Sequence, residues 1–297
     1  MILAIDLQDC QAGAKDRGVG RHMLSLCKAL IRNKGSHRII IVLNGLYSKS
    51  VDNIRHAFSL VSSEIDIRVW EAPYPIFYKD PANHWRREAA ERIREHFFAS
   101  LNPDVILTGN VFEGFDSNVV SSIHKIIQDV PVACMHHDLI PLVHKDIYLF
   151  NELTERHYFT NLDYLKKADL VLTNSNSTRK ELLDYVSLDP SKIVHVGTAA
   201  DERFKKRIPN IRVSSGVRKK YSLDKSFLMT VGHNDQRKNL DGLLRAFALI
   251  PQALRSQFKL VVVFNINKDR RLYFNSLISE LGIRSDEVVF TGFVPDE

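Results

Sequence analysis

The sequence is poor in cysteine: only three occur among its 297 residues, and no two of them form a CxxC pair. Cys10, Cys27 and Cys134 lie far apart, and an odd number of thiols does not favour a disulfide framework. We therefore expect a reducing compartment and plain core thiols. Because CxxC and HExxH motifs are both missing, we expect no bound metal.

Long apolar runs are missing too. No stretch approaches the roughly 18 apolar residues of a membrane-spanning helix. The first seven residues include Asp6 and lack the basic start and apolar core of a signal peptide. No GxxxxGK[ST] motif occurs, so P-loop chemistry has no support. These absences predict a cytoplasmic protein.

Charge of one sign is not in large excess. Lys and Arg number 41 against 35 Asp and Glu, a net charge of +6, and both signs are mixed along the chain. This balance permits a polyanionic ligand or an anionic membrane surface, but it lacks the concentrated basic stripe of a nucleic-acid-binding protein. Apolar residues at 44% and charged residues at 26% exclude a disordered, collagen-like or coiled-coil chain.

What is present is an alternation of short apolar runs with segments of helical period. The runs predict strands at 2–7, 38–43, 65–70, 104–108, 130–136, 169–173, 193–196, 227–231, 258–264 and 287–291. Alternation of this kind predicts an α/β protein made of doubly wound parallel sheets, because helices between the strands must cover both faces.

The pattern divides into two Rossmann-like domains. We assign residues 1–200 to the first domain, the polar and basic tract 201–225 to a linker, and 226–297 to the second domain. The second domain has only about three strands, which is half of a doubly wound sheet. Its first strand would be left as an open edge, so we expect a C-terminally truncated chain.

Two helical segments carry local signals. The helix at 83–101 mixes both signs of charge, which predicts a solvated, ion-paired face. Further along, Thr178 and Glu181 have the spacing of a capping box, which predicts that a helix begins at Thr178.

A glycine pair opens the first helix. Gly18 and Gly20, followed by Arg21, would let backbone N–H groups approach a phosphate at a helix N-terminus. The pattern is not an NAD fingerprint, because Met23 stands where the third glycine belongs. Two turn glycines in a plain loop are the alternative.

A second candidate anion site follows the strand at 227–231. The strand ends at Gly232, Arg237 and Lys238 come next, and Asn239 is placed to cap the following helix. Arg offers two oxygens a fork and Lys offers a point charge, which suits the negative charge that builds on a leaving diphosphate. The alternative is a pair of solvated surface cations.

Two histidines and an acid end the strand at 130–136. His136 and His137 face opposite sides of a strand, so one of them can point toward a cleft at the carboxyl edge, next to Asp138. Such a histidine can bind a polar substrate or move a proton. The alternative is a core or capping histidine. Glu113 also follows a strand, where it is either an acceptor contact or a plain loop acid.

Six ordered pieces of sequence resemble one known family. They are IDLQ at 5–8, RGVGR at 17–21, HDLIPL at 137–142, ADLVLTNS at 168–175, RKNLDGL at 237–243 and VFTGFVPDE at 289–297. Together they resemble the retaining glycosyltransferases of family 4, over essentially the whole chain. DPANHWRR at 80–87 and FEGF at 112–115 look most like mannosyltransferases that build bacterial O-antigen and capsule chains.

The resemblance implies two Rossmann-like domains of GT-B type facing a cleft. It implies transfer of a hexose from a nucleotide diphosphate donor to a glycan or lipid-linked acceptor, with retention of configuration and without a cofactor. The mannosyltransferase-like pieces suggest GDP-mannose as the donor. They also suggest a peripheral location at the inner face of the plasma membrane. His137 and Asp138 become the predicted catalytic residues. The predicted donor-binding residues are Gly18, Gly20, Arg21, Gly232, Arg237, Lys238, Thr291 and Gly292.

One departure from the family pattern matters. A glutamate pair, with which the family binds the donor ribose and sugar, would fall beyond Glu297. We therefore expect weak donor binding by this chain. Two rival interpretations stay open: a nucleotide-sugar epimerase of the same architecture, and a truncated, inactive module that binds a glycan or a partner.

Overall fold

The computed structural model of the protein describes residues 1–13, 15, 17–62, 65–201, 204, 215–232 and 235–294. The chain divides into two units, Met1–Phe204 and Lys205–Glu297. The predicted linker at 201–225 lies partly outside the described residues, and its described part contains the short helix Ser215–Lys220.

Unit 1 is built around a seven-stranded sheet. Its strands are β1 (Ile2–Asp6), β2 (Arg38–Asn44), β3 (Asp66–Trp70), β4 (Val105–Thr108), β5 (Val132–His136), β6 (Leu170–Thr173) and β7 (Ile193–His195). Their order is β3-β2-β1-β4-β5-β6-β7, and all neighbours are parallel. The predicted doubly wound sheet is confirmed, and all seven carboxyl ends lie along one edge.

Helices cover both faces of this sheet. They are α1 (Gly18–Arg32), α2 (Ser48–Ser59), α3 (His84–Ser100), α4 (Ile140–Val143), α5 (Lys145–Tyr148), α6 (Glu152–Lys167) and α7 (Asn176–Val186). Strand β2 contributes side chains to the hydrophobic cores on both faces of the sheet. Ile40 and Val42 pack on one face, and Ile41 and Leu43 pack on the other, together with Phe58. Burial on both faces explains why β2 is apolar without alternation.

The predicted capping box at Thr178 is wrong. Helix α7 begins at Asn176, and the side chain of Ser175 caps it by accepting a hydrogen bond from the Thr178 backbone N–H at 3.1 Å. Thr178 is instead within the first turn, and its hydroxyl donates to the carbonyl oxygen of His137 at 2.9 Å. Its side chain is therefore committed to the end of β5.

The predicted solvated, ion-paired face of α3 is only partly right. Arg92 is exposed and pairs with Glu88 at 3.9 Å, but Arg87, Glu91, Arg94 and Glu95 are buried. These buried side chains face the connection between β4 and β5, residues 109–131, all of which are described and none of which forms a helix or strand. An irregular buried segment needs partners for its backbone groups, and the charges of α3 supply them.

Individual bonds show how α3 holds this connection. Glu95 accepts hydrogen bonds from the backbone N–H groups of Lys125 and Ile126, at 2.9 and 2.7 Å. Arg87 donates to the carbonyl oxygens of Gly114 and Val119, at 3.2 and 3.1 Å. The connection therefore relies on side chains where a ladder would otherwise satisfy its backbone.

Arg94 is buried and pairs with Asp6 at the end of β1. The closest nitrogen–oxygen distance is 2.6 Å, and both side chains are 3% exposed. Arg94 also donates to the Ser122 carbonyl oxygen at 2.9 Å, and Asp6 accepts from the Gln8 side-chain amide at 2.9 Å. Gln8 in turn accepts from the Asn44 side chain at 3.0 Å. A buried charge pair thus links the ends of β1 and β2 to α3 and the connection.

His157 on α6 packs against Tyr78 and against Phe115 of the same connection. It is 5% exposed, with its ring 4.8 Å from that of Tyr78 and 5.5 Å from that of Phe115. Its Nε2 lies 3.0 Å from the amide nitrogen of Asn161, which can only donate, so Nε2 accepts. Burial, reinforced by the charge of Arg87, lowers the pKa of His157 to about 3.

Unit 2 contains a smaller parallel sheet. The described strands are β8 (Ser226–Val231), β9 (Phe258–Val263) and β10 (Val288–Phe290), in the order β10-β9-β8. The described helices are α8 (Ser215–Lys220), α9 (Leu240–Ala248), α10 (Gln252–Arg255) and α11 (Lys268–Glu280). Among the described strands β8 is an edge, as predicted, and its Met229 and Val231 are exposed. The predicted cap is confirmed, because Asn239 accepts from the Gly242 N–H at 3.1 Å.

Removing Arg94 should strongly destabilise unit 1. Arg94→Met leaves Asp6 as a buried charge without its partner, which costs about 3–5 kcal/mol of unfolding free energy. The control is Arg92→Met on the same helix, where the side chain is 58% exposed and the change should stay within about 0.5 kcal/mol. Urea unfolding followed by circular dichroism measures both. Equal small losses would contradict the role given to the buried pair.

His157 should make the protein less stable in acid. Its folded-state pKa of about 3 lies below the ordinary 6.5, so the unfolded chain binds the extra proton and stability falls as the pH drops below 6.5. His157→Gln keeps an acceptor for Asn161 and should reduce the loss of unfolding free energy between pH 7 and pH 5 by about 2 kcal/mol.

Urea titrations at several pH values measure this loss. The control is His56→Gln, because His56 is exposed on α2, and it should leave the pH dependence unchanged. An unchanged pH dependence in His157→Gln would show that His157 protonates without cost in the folded state.

Candidate functional site

Two of the predicted motifs meet at the carboxyl edge of the first sheet. Gly18 begins α1, and His137 directly follows β5. One turn into α1, His22 places its Nδ1 3.2 Å from Nε2 of His137, and the two rings meet edge-to-face with centroids 5.2 Å apart. The contact joins the glycine-initiated helix to the histidine pair, which sequence reasoning kept as separate features.

The start of α1 is open. A Cβ atom on Gly18 would meet nothing within 4 Å, so packing does not demand a glycine there. Arg17, the residue before the helix, makes no side-chain capping bond to it, while Arg21 is exposed in the first turn. Gly20 is buried, and its carbonyl oxygen accepts from Cys10 Sγ at 3.2 Å. Helix amides without a side-chain cap favour an anion or another polar ligand.

The two adjacent histidines have different surroundings, as predicted for opposite faces. His136 is 1% exposed, lies 5.7 Å from the ring of Phe112, and has its pKa lowered to about 3 by burial. His137 is less buried and lies at the edge, where burial, and to a smaller extent His22, lowers its pKa to about 4. Both imidazoles are therefore neutral at pH 7, which suits hydrogen bonding better than binding of an anion.

Asp138 sits beside His137 but is exposed. One of its carboxylate oxygens accepts a hydrogen bond from the Ile140 N–H at 3.1 Å, which helps to start α4. A helix-starting role therefore accounts for the carboxylate in this structure. Its predicted catalytic role stays a prediction.

Sequence reasoning missed Asp9, which follows β1 at the same edge. Asp9 is 3% exposed and accepts from the Asn110 N–H at 2.6 Å. Burial raises its pKa well above the ordinary range, with the charge of Glu113 adding to the effect. Burial likewise raises the pKa of Glu113, opposed by Arg17. The available signal was position, since Asp9 lies just past the carboxyl end of β1, an interior strand of the sheet.

Gly109 explains how Asp9 fits. A Cβ atom on Gly109 would lie 1.9 Å from a carboxylate oxygen of Asp9, so only a glycine allows this approach. The edge of the first sheet thus carries two carboxyl groups of raised pKa near the start of α1. Carboxyl groups can exchange hydrogen bonds with hydroxyls.

The loop after β8 in unit 2 gives the two predicted cations different surroundings. A single 3-10 turn, Gln236–Lys238, precedes α9, and Asp235 caps it. Asp235 also forms a close ion pair with the guanidinium of Arg237, so Arg237 already has an anionic partner. Lys238 is exposed, and its ammonium group makes no ion pair with any residue that the structure describes. Lys238 is therefore the more available cation.

A pocket of about 370 Å³ opens beside this loop. It is lined by residues of the loop and the starts of α9 and α11, including Asn239, Arg270 and Tyr273. Gly232 ends β8 nearby, and a Cβ atom there would approach the ring of Phe264 to 2.9 Å. Packing against Phe264 thus explains why position 232 is a glycine, independently of any ligand.

Thr291 and Gly292 follow β10. The Thr291 N–H donates to the Val262 carbonyl oxygen at 3.1 Å and its hydroxyl donates to the carbonyl oxygen of Gly292 at 2.9 Å. Gly292 has a φ of +73°, a conformation that favours glycine, with open space around its Cα. The turn is therefore a real structural feature at the carboxyl edge of the second sheet. Its contact with a nucleoside stays a prediction.

The two units thus present different kinds of groups to a ligand. Unit 1 presents neutral imidazoles, an open helix start and carboxyl groups of raised pKa, and unit 2 presents cations before a capped helix. Over the described ranges, no three His, Cys, Asp or Glu side chains are grouped so that they could hold a metal ion. None of the helices in those ranges combines the length and the apolar character needed to cross a bilayer.

Comparison with known families matches both units. The family model for Glycosyltransferase Family 4 matches residues 17–204, and that for Glycosyl transferases group 1 matches residues 216–297. The serotype-specific mannosyltransferase WbdA of Escherichia coli is 27% identical over 298 residues, covering 100% of this chain and 36% of that protein. The lipopolysaccharide glucosyltransferase WaaG of Escherichia coli K12 is 27% identical over 124 residues, covering 39% of this chain and 31% of that protein. The chain spans about a third of the length of the WbdA relatives.

Solved structures share the fold. Alr3699/HepE of Anabaena, crystallised with UDP-glucose, gives a TM-score of 0.63 at 16% identity, over 100% of this chain and 70% of that one. The structure of WaaG gives 0.60 at 16% identity, over 100% of this chain and 71% of that one. These likenesses confirm the predicted GT-B type fold class. With a family model covering residues 17–204, the comparisons also confirm the resemblance: the chain belongs to glycosyltransferase family 4.

Proposed function

We propose that this chain is a hexosyltransferase module that moves mannose from GDP-mannose to a glycan or lipid-linked acceptor, with retention of configuration. The observation that carries the proposal is the contact between α1 and His137 at the carboxyl edge of the first sheet. It is supported by the family and by alignment of the entire chain with a relative that is named a mannosyltransferase.

In this proposal unit 2 binds the donor. Lys238 is exposed, Arg237 can exchange Asp235 for a phosphate, and α9 begins directly behind them. Departure of a nucleoside diphosphate builds negative charge, which these groups stabilise. Gly232 lets the end of β8 pack against Phe264, and Thr291 with Gly292 would border the nucleoside. No metal enters the scheme.

Unit 1 would hold the sugars. His137, followed by Asp138, contacts the first turn of α1, where Gly18 leaves the helix start open, Gly20 is buried and Arg21 is exposed. Neutral imidazole suits a sugar hydroxyl better than it suits a phosphate. We assign the donor sugar to His137 and Asp138.

The proposal includes a cytoplasmic location with peripheral contact to an anionic membrane, where a lipid-linked acceptor would lie. Exposed Ile147 and Phe150 stand next to Lys145 at α5, a combination that suits a lipid surface. The net charge of +6 is opposite in sign to that of an anionic membrane surface, which favours such contact.

Donor binding should depend on the loop after β8. Isothermal calorimetry with GDP, UDP and ADP should show binding of GDP in preference to the other two. The double variant Arg237→Ala/Lys238→Ala should bind about tenfold or more weakly, because charge-assisted bonds to phosphate are lost.

The matched control is Lys219→Ala/Arg284→Ala. These two cations precede β8 and β10, so they lie toward the amino ends of the strands, away from the loop that follows β8. The control should leave the affinity unchanged. Equal affinities for all variants would refute the diphosphate assignment.

Transfer itself should be detectable as product. Mixing GDP-mannose with a mannose-terminated oligosaccharide should release GDP and extend the oligosaccharide, with the α-configuration kept in the proton NMR spectrum. His137→Ala should reduce kcat/KM by about a hundredfold, equal to roughly 2.7 kcal/mol of transition-state stabilisation. Saturable oligosaccharide binding without any release of GDP would instead identify a binding module.

A further inference from the structure

His22 is the only side chain among the described residues that forms a hydrogen bond with the ring of His137. Its Nδ1 lies 3.2 Å from Nε2 of His137, with ring planes at 88°. The other ring nitrogen of His137, Nδ1, is buried and has no partner among the described residues. The protonation pattern of His137 therefore depends on His22.

The pair is neutral near pH 7. Burial lowers the pKa of His22, and burial with the neighbouring ring lowers that of His137 to about 4. Each neutral imidazole carries one proton on one of its two nitrogens. A hydrogen bond between the rings therefore needs one of the two facing nitrogens protonated and the other bare.

Two arrangements satisfy this condition. If His22 donates from Nδ1, then His137 carries its own proton on Nδ1, as a buried N–H group without an acceptor. If His137 donates from Nε2, its buried Nδ1 is a bare acceptor. Buried N–H groups without a partner are rarer in proteins than under-used acceptors. The second arrangement is therefore favoured, and it places the proton of the partly buried His22 on Nε2.

We propose that His22 is a positioning residue that holds His137 in the Nε2-protonated tautomer and fixes the plane of its ring. The functional part of this inference rests on the proposed role of His137 toward the donor sugar. In that tautomer the Nε2 proton of His137 is committed to His22, and the plane of the His137 ring is fixed. His22 would thus set the orientation in which His137 meets the donor sugar.

The tautomer can be measured without any substrate. Long-range proton–nitrogen correlation NMR of the 15N-labelled chain distinguishes a protonated from a bare ring nitrogen, with His137 assigned by its absence in His137→Gln. In the wild type, Nε2 of His137 should be protonated and Nδ1 bare. In His22→Phe the fixed tautomer should be replaced by a mixture, since Nε2 has lost its acceptor.

His22→Asn is the conservative variant, because the side-chain oxygen of Asn can take the place of Nδ1 as acceptor. It should restore the single tautomer of His137. His56→Phe on the exposed face of α2 controls for the loss of a histidine and should leave the His137 signals unchanged. A wild-type His137 protonated on Nδ1, or a single tautomer that persists in His22→Phe, would overturn the proposal.

Kinetics give the second readout. In the transfer assay kcat should fall about tenfold to a hundredfold in His22→Phe, through a misplaced His137, and recover in His22→Asn, while the KM for GDP-mannose changes less. Normal kcat in His22→Phe would overturn the functional part. A wild-type chain with no transfer activity would count against the proposed function, while the NMR result would still decide the tautomer. If His22→Phe does not fold, the wild type and His22→Asn keep the tautomer test decisive.

Discussion

The buried pair between Asp6 and Arg94 is the interaction on which the rest of unit 1 depends. Two charges at 3% exposure are tolerable only when each keeps further hydrogen bonds. Arg94 finds one in the carbonyl oxygen of Ser122, and Asp6 finds one in Gln8. These secondary partners belong to the two connections that leave β1 and β4. A single charge pair therefore fixes the paths of both loops at the carboxyl edge.

This constraint explains why a long segment without helix or strand can lie beside the candidate site. Residues 109–131 replace the helix that usually joins neighbouring parallel strands, and α3 satisfies their backbone from one side. Because side chains of α3 hydrogen-bond to this segment at several points, it can hold Glu113 in place, together with Asn110, which donates to Asp9. Both carboxyl groups then stand near the start of α1 with a raised pKa. Stability and site geometry are set by the same set of bonds.

The sequence was sufficient for the sheet, because apolar strands buried on two faces leave a strong local signal, as in β2. It was also sufficient for the Asn239 cap, which depends on a residue three positions away. The charges of α3 gave the wrong prediction for Arg87, Glu91 and Arg94. These residues lie on the same helical stripe as the buried Phe98, and that spacing indicates a buried face despite the charges. The contact of His22 with His137 spans 115 positions, and no local pattern predicts such a pairing.

The ion pair within the loop after β8 has one more consequence. Because Asp235 occupies the guanidinium of Arg237, an incoming anion must take over a bond that the protein already makes to itself. The net gain is the difference between two similar contacts, so a singly charged or weakly accepting ligand gains little. Under the proposed diphosphate assignment, the ligand would bind Lys238 at the same time and so offset the lost contact. The internal counter-ion Asp235 would then act as a threshold that disfavours singly charged anions.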